Sequence, residues 1–388
     1  MPLSGVRVLD LSRLAPGPFC TQLLGDLGAD VVKVEECTAG DYLRWWPPRV
    51  EGLSAAFWAL NRNKRSVALD LRDAAARDAF LHLVDGADVL VESFRPGVMD
   101  RLQLGWSVLH QRNPRLVLCS ITGYGQDGPY RERAGHDINY QALSGVLGLG
   151  GTADGRVGVP GVQIADLGAG AMTAAVAILA ALRARDRTGE GQWCDVSMLD
   201  GMVSWLALQA SQHFATGELG APGSAMLNGR HPCYALYRCA DGDLSVGALE
   251  PKFWTALVTA LELPELAPLG LAEGDEGARV HAELERVFST RTRAEWAERL
   301  AHLDVCCEPV LNLAEAFAHE QVKARGLVLE AGTAGPLPQT GFAFTMSATP
   351  PQVRHSAPAL GEHTDLLLGE AGVDPATVAQ LRLDGVVR

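Results

Sequence analysis

Apolar positions in the first third of the chain alternate between two periods. Residues 6–11 (VRVLDL) form a short apolar run of strand length, and residues 12–18 are rich in turn formers. Residues 19–28 (FCTQLLGDLG) have helical spacing and stop at glycine; residues 29–35 (ADVVKVE) predict a second, valine-rich strand. The pattern returns as a strand over 67–71, a helix over about 74–83 and a strand over 87–92, and a further strand is predicted at 116–122. Strands joined through helices imply parallel, right-handed units, so this part of the chain predicts an α/β fold, an open, doubly wound parallel sheet. Ligands of such sheets sit beyond the carboxyl ends of the strands. The loops at 12–18, 92–97 and 123–129 are therefore the places to look for a site.

Farther on, the periods change. Residues 166–185 predict one long apolar helix, and 196–216 a second. From about residue 227 two strands, 234–238 and 244–246, flank the Asp241-Gly242 turn, and amphipathic helices follow at 253–261, 279–290 and 293–302. That is the pattern of a smaller α+β domain. Residues 331–358, rich in Gly, Pro, Ala and Thr, read as an extended connector before a short terminal helix pair starting near 364 and 375. The expected division is 1–226 for the first part of a large domain, 227–330 for the small domain and 331–388 for a connector that returns to the large one.

Composition narrows the partners. The chain has 388 residues, 47% hydrophobic and 20% charged, an ordinary globular balance. A net charge of −13 argues against nucleic acid or an anionic membrane as the main partner. An anionic small molecule needs a local basic pocket. The first residues show no apolar run behind a basic head, so no signal peptide is expected, and a cytoplasmic location follows as an expectation. No segment is an uninterrupted apolar run of spanning length; the nearest, 170–182, has the length of a core helix. The eight cysteines show no CxxC pair and no zinc spacing, so they read as small buried hydrophobes and no metal is expected.

Gly123-Tyr124-Gly125-Gln126-Asp127-Gly128 spells GxGxxG after a strand, but Pro129 follows where a dinucleotide site needs a helix. A tight glycine turn whose amides meet a ligand fits better, with Gly123, Tyr124 and Gly125 as the contacting residues. Asn61-Arg62-Asn63-Lys64-Arg65 gathers three cations, and Arg95 follows a strand end ahead of Pro96-Gly97. Guanidinium matches phosphate oxygens in a bidentate fork, so both places are candidates for phosphate, weighed against a solvated charge run. His136 and Asp166 stand in glycine-rich settings, and Asp166 is the one ionised group between Arg156 and Arg183. They make a candidate acid–base pair; the alternative for Asp166 is a helix-capping or first-turn aspartate.

Together, residues 24–35 (LGDLGADVVKVE), 61–65, 69–71 (LDL), 92–97, 123–129, 189–192 (GEGQ) and 360–364 (LGEHT) resemble the family III CoA transferases, the CaiB/BaiF family, and its α-methylacyl-CoA racemase branch. The resemblance runs along essentially the whole chain. It implies CoA thioester substrates with no separate cofactor, a Rossmann-like large domain and two subunits interlocked as a homodimer. The branch is read from two stretches. Residues 135–140 (GHDINY) supply a histidine that transferases generally lack there, and residues 247–253 (GALEPKF) resemble the racemase pattern, whose glutamate, here Glu250, partners that histidine. Residues 61–65 are worded more like the transferases. After Glu35, where relatives often carry Arg-Pro, this chain has Glu36-Cys37, so an arginine contact to phosphate is missing there.

The resemblance implies a mechanism. CoA phosphates lie near Arg95 and the cluster of Arg62, Lys64 and Arg65. His136 and Asp166 face the α-carbon of a 2-methylacyl-CoA from opposite sides. Backbone amides near Asp137 hold the enolate oxygen, and Glu250 orients His136. Proton exchange near neutrality then requires a raised Asp166. In the transferase alternative Asp166 is instead a nucleophile that carries CoA as a thioester.

Overall fold

The computed structural model describes residues 1–151 and 155–388. Two compact units emerge: Met1–Ser144 with Val162–Trp205 and Glu320–Arg388, and Gly145–Gly161 with Leu206–His319. The second unit thus takes residues 145–161 and 206–226, expected in the large domain, and the first takes 320–330, expected in the small one. The sequence reading set its boundary where strand patterning begins, whereas the chain leaves the first unit at Trp205.

The first unit is built on six parallel strands: β1 (Arg7–Asp10), β2 (Asp30–Glu35), β3 (Lys64–Ala68), β4 (Val89–Glu92), β5 (Val117–Thr122) and β6 (Trp193–Ser197). Their order across the sheet is β3-β2-β1-β4-β5-β6. That is the doubly wound order, whose direction reverses between β1 and β4. Inner strands are buried on both faces, hence the valines and leucines that dominate VRVLDL and ADVVKVE, with Asp10, Lys33 and Glu35 buried among them. One core gathers Leu9, Val32, Phe80, Leu83, Leu90 and Leu118 with Leu367, Leu368, Val378 and Leu381 from the terminal helices Thr364–Glu370 and Pro375–Leu383.

Some elements depart from the sequence reading. The first helix begins at Pro16, where a fixed φ and a missing N–H suit the first turn. Strand β3 starts at Lys64 rather than Val67, so the cationic cluster enters the sheet. The helix expected over 196–216 is a strand end and two helices, Met198–Ser204 and Ala207–Thr216; the Ser197 hydroxyl caps the first by accepting from the Asp200 N–H at 3.1 Å. The long helix runs Ala165–Thr188, with a wide π-helical stretch over Ala165–Met172. It is long and apolar enough to cross a membrane by length and composition alone, and half of its most apolar window is buried.

The second unit carries an antiparallel sheet of Cys307–Pro309, Asp243–Gly247 and Tyr234–Arg238, in that order. Helices Pro251–Ala260, Gly274–Phe288 and Arg293–Leu300 supply Trp254, Leu257, Leu284, Phe288 and Trp296 to one core with Tyr237, Leu244 and Val246. The buried indoles are satisfied: Trp254 Nε1 donates to the Leu266 carbonyl at 2.9 Å and Trp296 Nε1 to that of Phe288 at 2.8 Å. Five of the eight cysteines are buried; Cys306 is exposed, unlike the reading of it as a core residue.

Candidate active site

Strands β1, β4 and β5 end together in the first unit, and their loops line a cavity of about 500 Å³. Arg13 and Leu14 follow β1, Ser93–Pro96 follow β4, and Gly123 and Tyr124 follow β5. All three loops singled out by topology are used. The walls are completed by Arg131, Arg133, Gly135, His136 and Asp166. Tyr140, buried between the glycine segments, packs edge-on against Tyr124 with centroids 5.1 Å apart. Gly123 and Gly135 are small for this reason, because a Cβ at either would run into the Tyr140 ring.

His136 sits at the mouth of the helix Asp137–Ser144. Its backbone N–H donates to Asn139 Oδ1 at 3.0 Å and its carbonyl accepts from the Asn139 N–H at 2.7 Å, which fixes the turn that carries the imidazole. The next residue ties that turn to the long helix. Asp137 Oδ1 accepts from the backbone N–H groups of Ala165 at 2.7 Å and Asp166 at 3.0 Å, and Gln141 holds the other oxygen. Asp137 is therefore the cap of the 165–172 stretch. Asp166 is left free of that duty, and its carboxylate accepts no hydrogen bond among the described residues. Burial, with the Asp137 charge beside it, pushes the Asp166 carboxyl up to about 7. Burial and the nearby Asp166 charge also raise the Tyr140 phenol.

The cavity is cationic in a chain that is acidic as a whole. Arg13, Arg95, Arg131 and Arg133 line it, and among the described residues none of these four forms an ion pair. Arg13 lies over the rings of Tyr42 and Phe94, 5.3 and 5.5 Å from their centroids, and Arg133 over Tyr130 at 4.1 Å.

The other expected phosphate contacts are corrected by burial and pairing. Arg62 is buried with Nη2 2.7 Å from Asp26 Oδ2. Lys64, fully buried, holds Asp10 Oδ2 at 3.0 Å, the Pro18 carbonyl at 2.9 Å and Asn61 Oδ1 at 2.9 Å. Arg65 is paired with Asp30 at 2.6 Å and Glu370 at 3.1 Å. None of the three lines the cavity. Lys64 and Asp10, with Ser12 and Thr21 bonded to the same aspartate, form a buried polar floor under the β1 loop. Gly125 turns the β5 loop at φ +88° rather than lining the cavity, and its N–H donates to Thr122 Oγ1 at 3.0 Å. Asp137 acts through its carboxylate on the helix cap, not as a wall of the cavity. Glu250 belongs to the second unit, exposed at the N-cap of Pro251–Ala260. Sequence reasoning missed Arg13, Arg131, Arg133 and Tyr140. The first stands in a loop that the topology had already marked.

A doubly wound sheet whose switch-point cavity gathers His136, Asp166 and four arginines has the layout of an α/β protein with a ligand site beyond its strand ends. The chain belongs to CoA-transferase family III, whose model matches residues 3–364. It is similar to the α-methylacyl-CoA racemase of Homo sapiens, 36% identical over 391 residues, covering 100% of this chain and 98% of that one. It is also similar to the succinyl-CoA:glutarate CoA-transferase of Mus musculus, 34% identical over 395 residues and covering 100% and 90%. The structure matches that of a CAIB/BAIF family protein from Brucella suis, with a TM-score of 0.83, 33% identity and coverage of 96% and 99%. The family includes both racemases and CoA-transferases.

Proposed function

We propose that the protein epimerises the α-carbon of a 2-methylacyl-CoA thioester by 1,1-proton transfer. The observation that carries this reading is the shared cavity of His136 and Asp166, with the Asp166 carboxyl pushed up to about 7. A group poised there gives and takes a proton with equal ease near neutrality. One of the pair removes the α-proton and the C–H electrons pass into the enolate. The other delivers a proton to the opposite face as the carbonyl reforms. The enolate oxygen is held by the backbone amides at Asp137 and Ile138, at the start of the helix Asp137–Ser144, whose Asn139 and Tyr140 amides already donate to the His136 carbonyl. Arg95 with Arg13 takes the CoA phosphates. Glu250 is assigned as the partner of His136, and the working unit as an interlocked homodimer.

The second reading makes Asp166 a nucleophile, favoured by its free, cavity-facing carboxylate. Its oxygen attacks the thioester carbonyl, CoA thiolate leaves and then returns to the anhydride, releasing the acid. The deciding experiment incubates one enantiomer of a 2-methylacyl-CoA in deuterium oxide without an acceptor acid. Deuterium at the α-carbon with loss of chirality is expected, and His136→Ala should lower the rate by about 10²–10⁴-fold. Absence of exchange, with CoA transfer once a carboxylic acid is added, moves the protein to the second reading.

A further inference from the structure

A second cavity, of about 410 Å³, adjoins the first and shares Arg13, Tyr42 and Phe94 with it. It lies beyond the ends of β1, β2 and β3, reached by Leu11, Glu36 and Leu69–Arg72. In doubly wound sheets this is where a nucleoside sits, and the residue just past β2 reads the ribose: an acid meets free hydroxyls, a base meets a phosphate. Here that residue is Glu36.

The Glu36 carboxylate is already saturated. Oε2 accepts from the Thr38 N–H at 3.0 Å and the Thr38 hydroxyl at 2.6 Å. Oε1 accepts from the Gly40 N–H at 2.8 Å and from the Ala39 N–H. Successive backbone N–H groups of this kind make an anion-binding nest. The chain's own carboxylate fills it, and those donors hold it ionised, with its carboxyl lowered to about 2. The other charges at this end of the cavity are already paired within the chain. Arg72 is closed on Asp70 at 2.8 and 2.7 Å. Glu35 is closed on Arg44 at 2.8 and 2.7 Å. Arg13 stands at the far wall, against Tyr42 and Phe94, where the two cavities meet.

We propose that the Glu36 wall leaves the 3′-phosphate of CoA unread, so that thioesters of 3′-dephospho-CoA serve as well as those of CoA. The inference rests on the CoA reading above. The pyrophosphate stays with Arg13 and Arg95, the Glu36 charge cancels the attraction that the 3′-phosphate would draw from them, and specificity at the nucleotide end comes from shape.

Calorimetric titration of the intact protein with CoA and with 3′-dephospho-CoA tests it. Dissociation constants within about threefold of one another are expected. Tighter binding of CoA by about tenfold or more would overturn the inference and leave the CoA reading standing. Binding of neither would overturn both. Glu36→Gln removes the charge, and should tighten CoA by about threefold or more with no change for the dephospho form; a merely structural role would move both ligands alike. Arg72→Ala should leave the ratio of the two constants unchanged. A fall in that ratio would make Arg72 the reader of the phosphate and sink the idea. If the Glu36 variant does not fold, the wild-type comparison still decides.

Discussion

Asp166 is held in a state that folding alone would not choose. An ordinary carboxyl in the unfolded chain titrates near 3.9, and this one near 7. The folded state binds its proton more tightly, so its contribution to stability is full below about pH 4 and is lost as pH rises to about 7. Asp166→Asn does not titrate. The variant should therefore gain stability over wild type across that interval and keep the gain above it, as read by chemical unfolding at pH 5 and pH 8; a difference independent of pH would contradict this. Asp137 acts on the same group twice, through its charge and through its cap. Asp137→Asn keeps an acceptor for the helix amides but removes the charge. The Asp166 carboxyl should fall, and the acidic limb of the kcat/KM profile should move to lower pH.

At the scale of elements, the two cationic sets separate by function. Lys64→Met leaves Asp10 charged and buried, and should destabilise the fold by about 3–5 kcal/mol in urea unfolding. Affinity for CoA in the folded fraction should be unchanged. Arg13→Ala should do the reverse, raising KM for the thioester while the unfolding midpoint stays within error. The sheet was legible because alternating strand and helix periods leave few topologies, and the switch-point rule then named the loops that line the cavity. Which cation faces a ligand was not legible. Lys64 and Arg13 both stand within a few residues of a strand end, and only long-range pairing, Lys64 with Asp10 across 54 positions, tells them apart. Strand β6 escaped notice because Trp193–Ser197 mixes exposed and buried positions at the sheet edge, without the double burial that marks its neighbours. His136 and Asp166 could be picked out as candidates. The capping of Asp166 by Asp137, 29 residues away, could not.

For the molecule as a whole, the −13 charge and the arginine-lined cavity act in opposite directions on a polyanionic substrate. Affinity for CoA should fall with added salt through the unpaired arginines, while the bulk negative charge keeps nonspecific polyanions away. The three segments of the first unit have a further consequence, for synthesis. The last of them bonds back to the beginning: the Asp70 N–H donates to the Val386 carbonyl at 2.9 Å, and the Arg388 N–H to that of Ala68 at 3.2 Å. Leu367, Leu368 and Val378 then close the same core as Leu9 and Val32. A ribosome delivers those residues on the order of ten seconds or more after the central strands. Through that interval the nascent sheet shows an uncovered apolar face. A chaperone should hold it until those helices arrive.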